Sequence, residues 1–207
     1  MTVPEARDGQ RPPPAQDAVT ASPMDPWDRA ELMSGIASAR FARFERAGAA
    51  ADLDDAIQAG QEAVSETPSG RPGRAEYLMF LGSCLGMRFE RGGAVADLDA
   101  AIRAGQEAIA ATRTGDPHRC GYLAALGAAL FTRFEQTKDA ADLDAAIRTG
   151  RAALAAAPEG HPDRVIYEFI VDHAERARPD RIGTPVETDP AASTRPHDED
   201  RSTEPCV

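Results

Sequence analysis

Among the residues with the types and spacing for chemistry, His118 and Cys120 come nearest to a nucleophile and its base. On one helix, however, residues two apart point to different faces, so the two do not meet as a dyad. Cys120 falls in register with Ala30, Ala75 and Val165, and Cys84 with Ala39 and Ala129, which reads as small, packed positions. His118, His161, His173 and His197 are scattered without metal-ligand spacing, and Asp172-His173 alone does not make a site. No GxxxxGK[ST] phosphate loop and no GxGxxG after a strand occurs. The string Arg-Phe-Glu occurs three times, at 43–45, 88–90 and 133–135. It reads as a core phenylalanine whose charged neighbours pair with a nearby Asp-Leu-Asp turn or face water. The expectation is a chain without catalytic residues, cofactor or metal.

The elements that position these residues follow from composition and periodicity. The chain has 207 residues, 28% of them charged and 42% hydrophobic, a globular mixture. Its net charge of −11 repels a phosphate backbone, which argues against nucleic acid as a partner. Arginine outnumbers lysine 22 to 1, a bias expected of a G+C-rich bacterial genome. Residues 1–24 hold no apolar run of signal-peptide length, and no stretch reaches the ~18 apolar residues of a membrane span. Three cysteines without CxxC spacing fit reduced thiols, so a cytoplasmic location is expected, with no membrane partner. Residues 1–24 and 179–207 are proline-rich and poor in apolar side chains, and they read as disordered tails, the second one acidic. The folded part is then 25–178.

That part repeats with a period of 45. Ala51-Asp52-Leu53-Asp54 returns as Ala96-Asp97-Leu98-Asp99 and Ala141-Asp142-Leu143-Asp144, and Gly60 returns as Gly105 and Gly150. Between 88–112 and 133–157, 15 of 25 aligned positions are identical, which marks duplication rather than shared alanine content. The copies are 25–69, 70–114 and 115–159, and a fourth stops within 160–178. Each reads as two helices. Leu78, Leu81, Gly82, Leu85 and Phe89 share one helical face, as do Leu98, Ala101, Ile102, Gly105 and Ile109. The segment 160–178 reads as a capping helix with Ile166, Phe169, Ile170, His173 and Ala177 turned to the preceding pair, and Glu175 and Arg176 to water.

Asp116-Pro117 predicts a helix start with aspartate as N-cap and proline at N1, matched by Asp25-Pro26 and by Pro72 and Pro162. Both aspartates of each Asp-Leu-Asp are expected in or just before the first turn of the second helix, complementing its dipole. Gly48 and Gly92-Gly93 mark the turn within a pair. A glycine in mid-helix costs ~1 kcal/mol against alanine, so Gly60, Gly105 and Gly150 in register predict close approach of a neighbouring helix.

These patterns resemble the tetratricopeptide repeat (TPR). The first helix supplies Leu78, Leu81-Gly82 and Leu85; the second supplies Ala56, Gly60, Ala63 and Pro68, recurring as Ala146, Gly150, Ala153 and Pro158. Seven extra residues within the pair and four between pairs lengthen the family's 34-residue unit to 45. This longer form is similar to arrays that accompany CHAT (caspase-like) domains and NTPase regulators in filamentous actinobacteria. The sequence departs from the family at the helix-B aromatic, replaced by glycine, and at Arg113 and Arg40, which stand where other copies have Pro and Leu. The resemblance implies an all-α, right-handed solenoid of three helical hairpins plus the capping helix, and a concave surface formed by the first helices. Carried onto this sequence, that surface holds Glu31, Ser34, Ser38 and Ala42, then Glu76, Met79, Ser83 and Met87, then Ala124, Ala128 and Thr132. It lacks a lysine and arginine clamp. The implied function is a non-enzymatic adaptor that binds a protein or peptide. The alternative is a regulatory subunit of a separately encoded CHAT, NTPase or biosynthetic system. A third is an oligomer of the chain stacked end to end.

Overall fold

A computed structural model describes residues 24–178, so the expectations for 1–23 and 179–207 lie outside the described residues. Among the described residues there are seven helices and no strand: α1 Pro26–Ala47, α2 Ala50–Glu66, α3 Arg74–Gly92, α4 Val95–Ala111, α5 Arg119–Thr137, α6 Ala140–Ala156 and α7 Arg164–Arg176. The fold is all-α. The chain divides into two compact units, one up to Pro68 and one from Ser69 onward. In the first, α1 packs on α2. In the second, α3 packs on α4, α4 on α5, α5 on α6, and α6 on α7.

Short turns of positive φ close each hairpin. The cap residues Gly48 (φ 67°) and Gly93 (φ 69°) take the left-handed conformation that glycine adopts without penalty. In the third pair this place falls to Lys138 (φ 59°), whose Nζ lies 5.6 Å from the centre of the Phe134 ring. At α1, Asp25 is the N-cap: its side chain accepts from the N–H of Trp27 at 2.8 Å, with Pro26 following. The start of α5 differs from expectation. Asp116 Oδ1 accepts from the N–H of His118 (2.8 Å) and its carbonyl from Arg119 (3.1 Å). The aspartate therefore closes a three-residue turn ahead of the helix, which begins at Arg119 rather than at Pro117.

The second unit is built on alternating large and small contacts. Ile102, Leu126, Leu130 and Ala146 form one cluster; Cys120, Ala124, Ala153, Ala157 and Tyr167 form another; Leu143, Ile147 and Ala174 form a third, with Phe134 against it. Phe44 and Phe89 are buried and Phe134 partly so, as expected of the recurring Arg-Phe-Glu. Two of the register glycines, Gly105 and Gly150, do mark close approach. A Cβ on Gly105 would meet Leu126 Cβ at 3.4 Å, and one on Gly150 would meet Val171 Cγ2 at 2.7 Å. The first distance is ordinary contact; the second requires α7 to move, because a β-branched valine on a helix has one strongly preferred rotamer. Gly105→Ala, which gains up to ~1 kcal/mol of helix propensity, is expected to raise the thermal midpoint. Gly150→Ala is expected to lower it, because overpacking costs about 1–3 kcal/mol. Equal shifts in two thermal melts would contradict this packing.

The arginines of Arg-Phe-Glu form a ladder with the aspartates. Arg88 holds Asp97 through two bonds (Nε–Oδ2 3.1 Å, an Nη–Oδ1 of 2.6 Å). Arg133 holds Asp142 the same way (2.8 and 2.5 Å) and reaches Asp99 of the preceding copy at 2.7 Å. Those two carboxylates hold the Arg133 guanidinium more firmly protonated than usual. Arg178, one period on, bonds Asp144 at 2.5 Å. In the first unit Arg43 and Arg40 both approach Asp52, at 3.3 and 3.6 Å, and Arg40 also pairs with Asp55 at 3.1 Å. Arg40 thus replaces leucine by joining the carboxylates. Asp52, Asp97 and Asp142 are buried in the first turn, whereas the second aspartate of each motif, two residues on, lies just past it. The first aspartate is therefore an ion-pair partner as well as a complement to the helix dipole.

Helix α7 is rotated from the face expected: Ile170 and Ala177 do pack on the core, but Ile166, Phe169 and His173 do not take buried places. Tyr167, Val171 and Ala174 are buried against the preceding pair, with Ile170 half-buried beside them, while Phe169 is 62% and Ile166 55% exposed and His173 is exposed too. Val165 is 72% exposed. The inward set (167, 170, 171, 174) aligns with Tyr122, Ala125, Leu126 and Ala129 of α5, and Leu126 packs against α4 in the same way. Arg176 faces water as expected; Glu175 is half-buried and bonds Arg151 at 2.5 Å.

Candidate functional site

The small residues that let helices approach also leave space where side chains stop short. Between α3 and α5, with α4 as floor, lies a groove enclosing a cavity of about 240 Å³. Helix α3 contributes Met79, Gly82, Ser83, Gly86, Phe89 and Glu90. Leu98, Ala101 and Gly105 of α4 line the bottom, and Ala125, Leu126, Ala128, Ala129 and Thr132 of α5 form the far wall. The hollow exists because glycine and alanine occupy positions where a larger side chain would fill it: a Cβ on Gly86 would meet nothing within 4 Å.

The polar groups of the groove are three, and each presents acceptor atoms. Ser83 spends its hydroxyl proton on the Met79 carbonyl (3.0 Å), and Thr132 spends its own on the Ala128 carbonyl (3.0 Å). Glu90 is exposed and supplies the single charge of the lining. It has no ion-pair partner among the described residues, whereas Arg88 of the same motif is bonded to Asp97. Such a lining buries apolar surface and offers no proton donor.

Of the residues expected on a concave surface, four line this groove: Met79, Ser83, Ala128 and Thr132. Ala124 does not. It is 6% exposed and packed with Cys120, Ala153, Ala157 and Tyr167, so it belongs to the core, and Ala125 and Ala128 carry the exposed stripe of α5. Met87 is half-buried outside the lining. Glu76 lines a separate hollow near the turns, with Asp116 and Tyr122. Burial raises the Tyr122 phenol above its usual value, and the Glu76 and Asp116 carboxylates add to it. In the first unit Glu31 and Ser38 are exposed and Ser34 and Ala42 half-buried on α1. Gly86 and Ala125, which shape the groove, were invisible to sequence reasoning, since a missing side chain leaves no periodic signal.

The structure also brings together three residues that sequence reasoning kept apart. Cys120 Sγ lies 3.7 Å from His161 Nε2 and 3.9 Å from the Tyr167 hydroxyl, and donates to the Pro117 carbonyl at 3.4 Å. The N–H of Asp163 donates to His161 Nδ1 (3.2 Å), so in the neutral ring this network puts the proton on Nε2, facing the sulfur. Burial, followed by the contact with Cys120, pushes the Tyr167 phenol up to about 12, which keeps it a donor. Histidine and tyrosine both donate to the sulfur, so neither is placed to take the thiol proton as a base must. With Cys120 only 2% exposed, the cluster stitches the start of α5 to the α6–α7 turn and to α7. Cys84 is fully buried, and burial pushes its thiol up to about 12.

Among the described residues no group of three or more His, Cys, Asp and Glu side chains is placed to hold a metal ion, and no helix is long and apolar enough to cross a membrane. The apolar groove is the candidate site. No protein-family model and no curated protein matches the sequence. A solved structure described as a DHF119 filament is similar over 72% of this chain and 78% of its own, at 18% identity and a TM-score of 0.42.

Proposed function

We propose that this chain is a TPR-like, non-enzymatic adaptor of the cytoplasm that holds a segment of another protein in the groove between α3 and α5. The observation that carries the reading is the groove itself: a surface hollow of about 240 Å³, largely apolar, floored by Leu98, Ala101 and Gly105, and filled by none of the described side chains. Such a hollow is too shallow to enclose a drug-sized ligand, for which ~300–1,000 Å³ is usual, but it suits the apolar side chains of a helix or extended segment laid along it. Met79 supplies a flexible, polarisable wall that adapts to more than one side-chain shape.

Two substitutions test this without breaking the fold. Gly86→Leu places apolar bulk in open space and gains helix propensity. Met79→Glu, at a half-exposed position, adds a charge to the wall. Both are expected to keep the wild-type melting temperature within about 2 °C or to raise it, and to weaken capture of the native partner by tenfold or more. Undiminished capture by both variants would reject the groove as the binding surface.

A further inference from the structure

The groove has a chemical polarity that its apolar lining does not suggest. Its only polar side chains, Ser83, Glu90 and Thr132, present acceptors, because each hydroxyl proton is already given to a carbonyl of its own helix. The carboxylate at its end has no cation among the described residues, although an arginine precedes it by two residues; that arginine is turned to Asp97. The hollow between α5 and α7 differs at the equivalent place, where Glu135 shares the lining with Lys138 and Arg176.

From this contrast we infer that the segment held between α3 and α5 carries a lysine or arginine one helical turn beyond its last apolar anchor, and that Glu90 receives it. The inference rests on the groove being the binding surface. A helical segment laid parallel to α3, with its last apolar anchor over Gly82, Gly86 and Ala128, brings the residue one turn further to the C-terminal end of α3, beside Glu90. A cation there donates to the carboxylate, whose position at the edge of an apolar hollow screens it less than open water would. A glutamine in the same position donates without charge, and a glutamate meets repulsion. The negative end of the α3 dipole favours the same sign of ligand. The occupant is thus an amphipathic protein segment with a basic flank, and an acidic tail is disfavoured.

Three acetylated, amidated peptides with leucines at helical spacing, differing only in Arg, Gln or Glu one turn after the last leucine, test this by fluorescence polarisation at low salt. The wild-type protein is expected to bind Arg about fivefold or more tightly than Gln, and Glu weakest. Glu90→Gln is expected to abolish the preference among the three peptides, and Glu159→Gln, which removes an exposed charge outside the groove, to leave the preference intact. Equal affinities for all three peptides, each lost in Gly86→Leu, would overturn the basic-flank inference and leave the groove standing. Binding of all three that is indifferent to Gly86→Leu would overturn both.

Discussion

Arg133→Ala is expected to lower the melting temperature by roughly 5–10 °C, corresponding to about 2–4 kcal/mol. Arg133 is the rung where two copies meet, bonding Asp142 twice and Asp99 once. The Asp142 side chain is 8% exposed, so removal of the guanidinium leaves a carboxylate with neither water nor a counter-charge. The cost is the desolvation of that orphaned charge rather than the modest net value of the pair. Arg133→Lys is expected to fall in between, because one ammonium cannot reproduce the bidentate fork and the third bond together. Arg178→Ala supplies the contrast: both members of its pair with Asp144 are at least 39% exposed, so a change of ~0–1 kcal/mol is expected. Thermal melts of the three variants check this. Equal losses for Arg133→Ala and Arg178→Ala would show that burial of Asp142 is not what makes the rung matter.

A second large effect separates core from groove at adjacent residues. Ala124→Glu is expected to cost more than about 3 kcal/mol, since a charge and the further heavy atoms of a carboxyethyl group must enter a cluster where Ala124 is 6% exposed. Ala125→Glu, one position on and exposed in the groove wall, is expected to change stability by no more than ~0.5 kcal/mol while weakening capture of an apolar segment. Urea unfolding of both variants reads the first difference, and a binding isotherm of Ala125→Glu reads the second. Equal stability would show that α5 is turned about its axis relative to the arrangement described.

The repeat made most of the helix boundaries legible, because duplicated residues carry duplicated caps and turns: Gly48 and Gly93 recur at hairpin ends with the same left-handed φ. The pairing of each Arg-Phe-Glu arginine with an aspartate was legible too, being local to one hairpin. The bond from Arg133 back to Asp99 was not, since it requires knowing which helix of the preceding copy runs alongside. Face assignment failed where composition carried no contrast. Residues 165–167 and 169–171 are all apolar, so two helical stripes fit α7 equally well, and the aligned α5 positions, with Leu126 against α4, decide between them. Ala124 failed for a related reason: in an alanine-rich helix the same side chain serves core and surface. The Cys120–His161 contact joins two copies through their turns, and neither spacing nor residue type announces it.

The claim that most of the account depends on is that a protein segment lies in the α3–α5 groove. A photo-crosslinking amino acid placed at Ser83, exposed within the groove, tests it against the same group at Gln106, exposed on α4 outside the lining. The account predicts a discrete protein adduct from Ser83 in native cells, absent from Gln106 and lost when Gly86→Leu is added. Adducts of equal yield from both positions, or a Ser83 adduct that survives the filled groove, would contradict it.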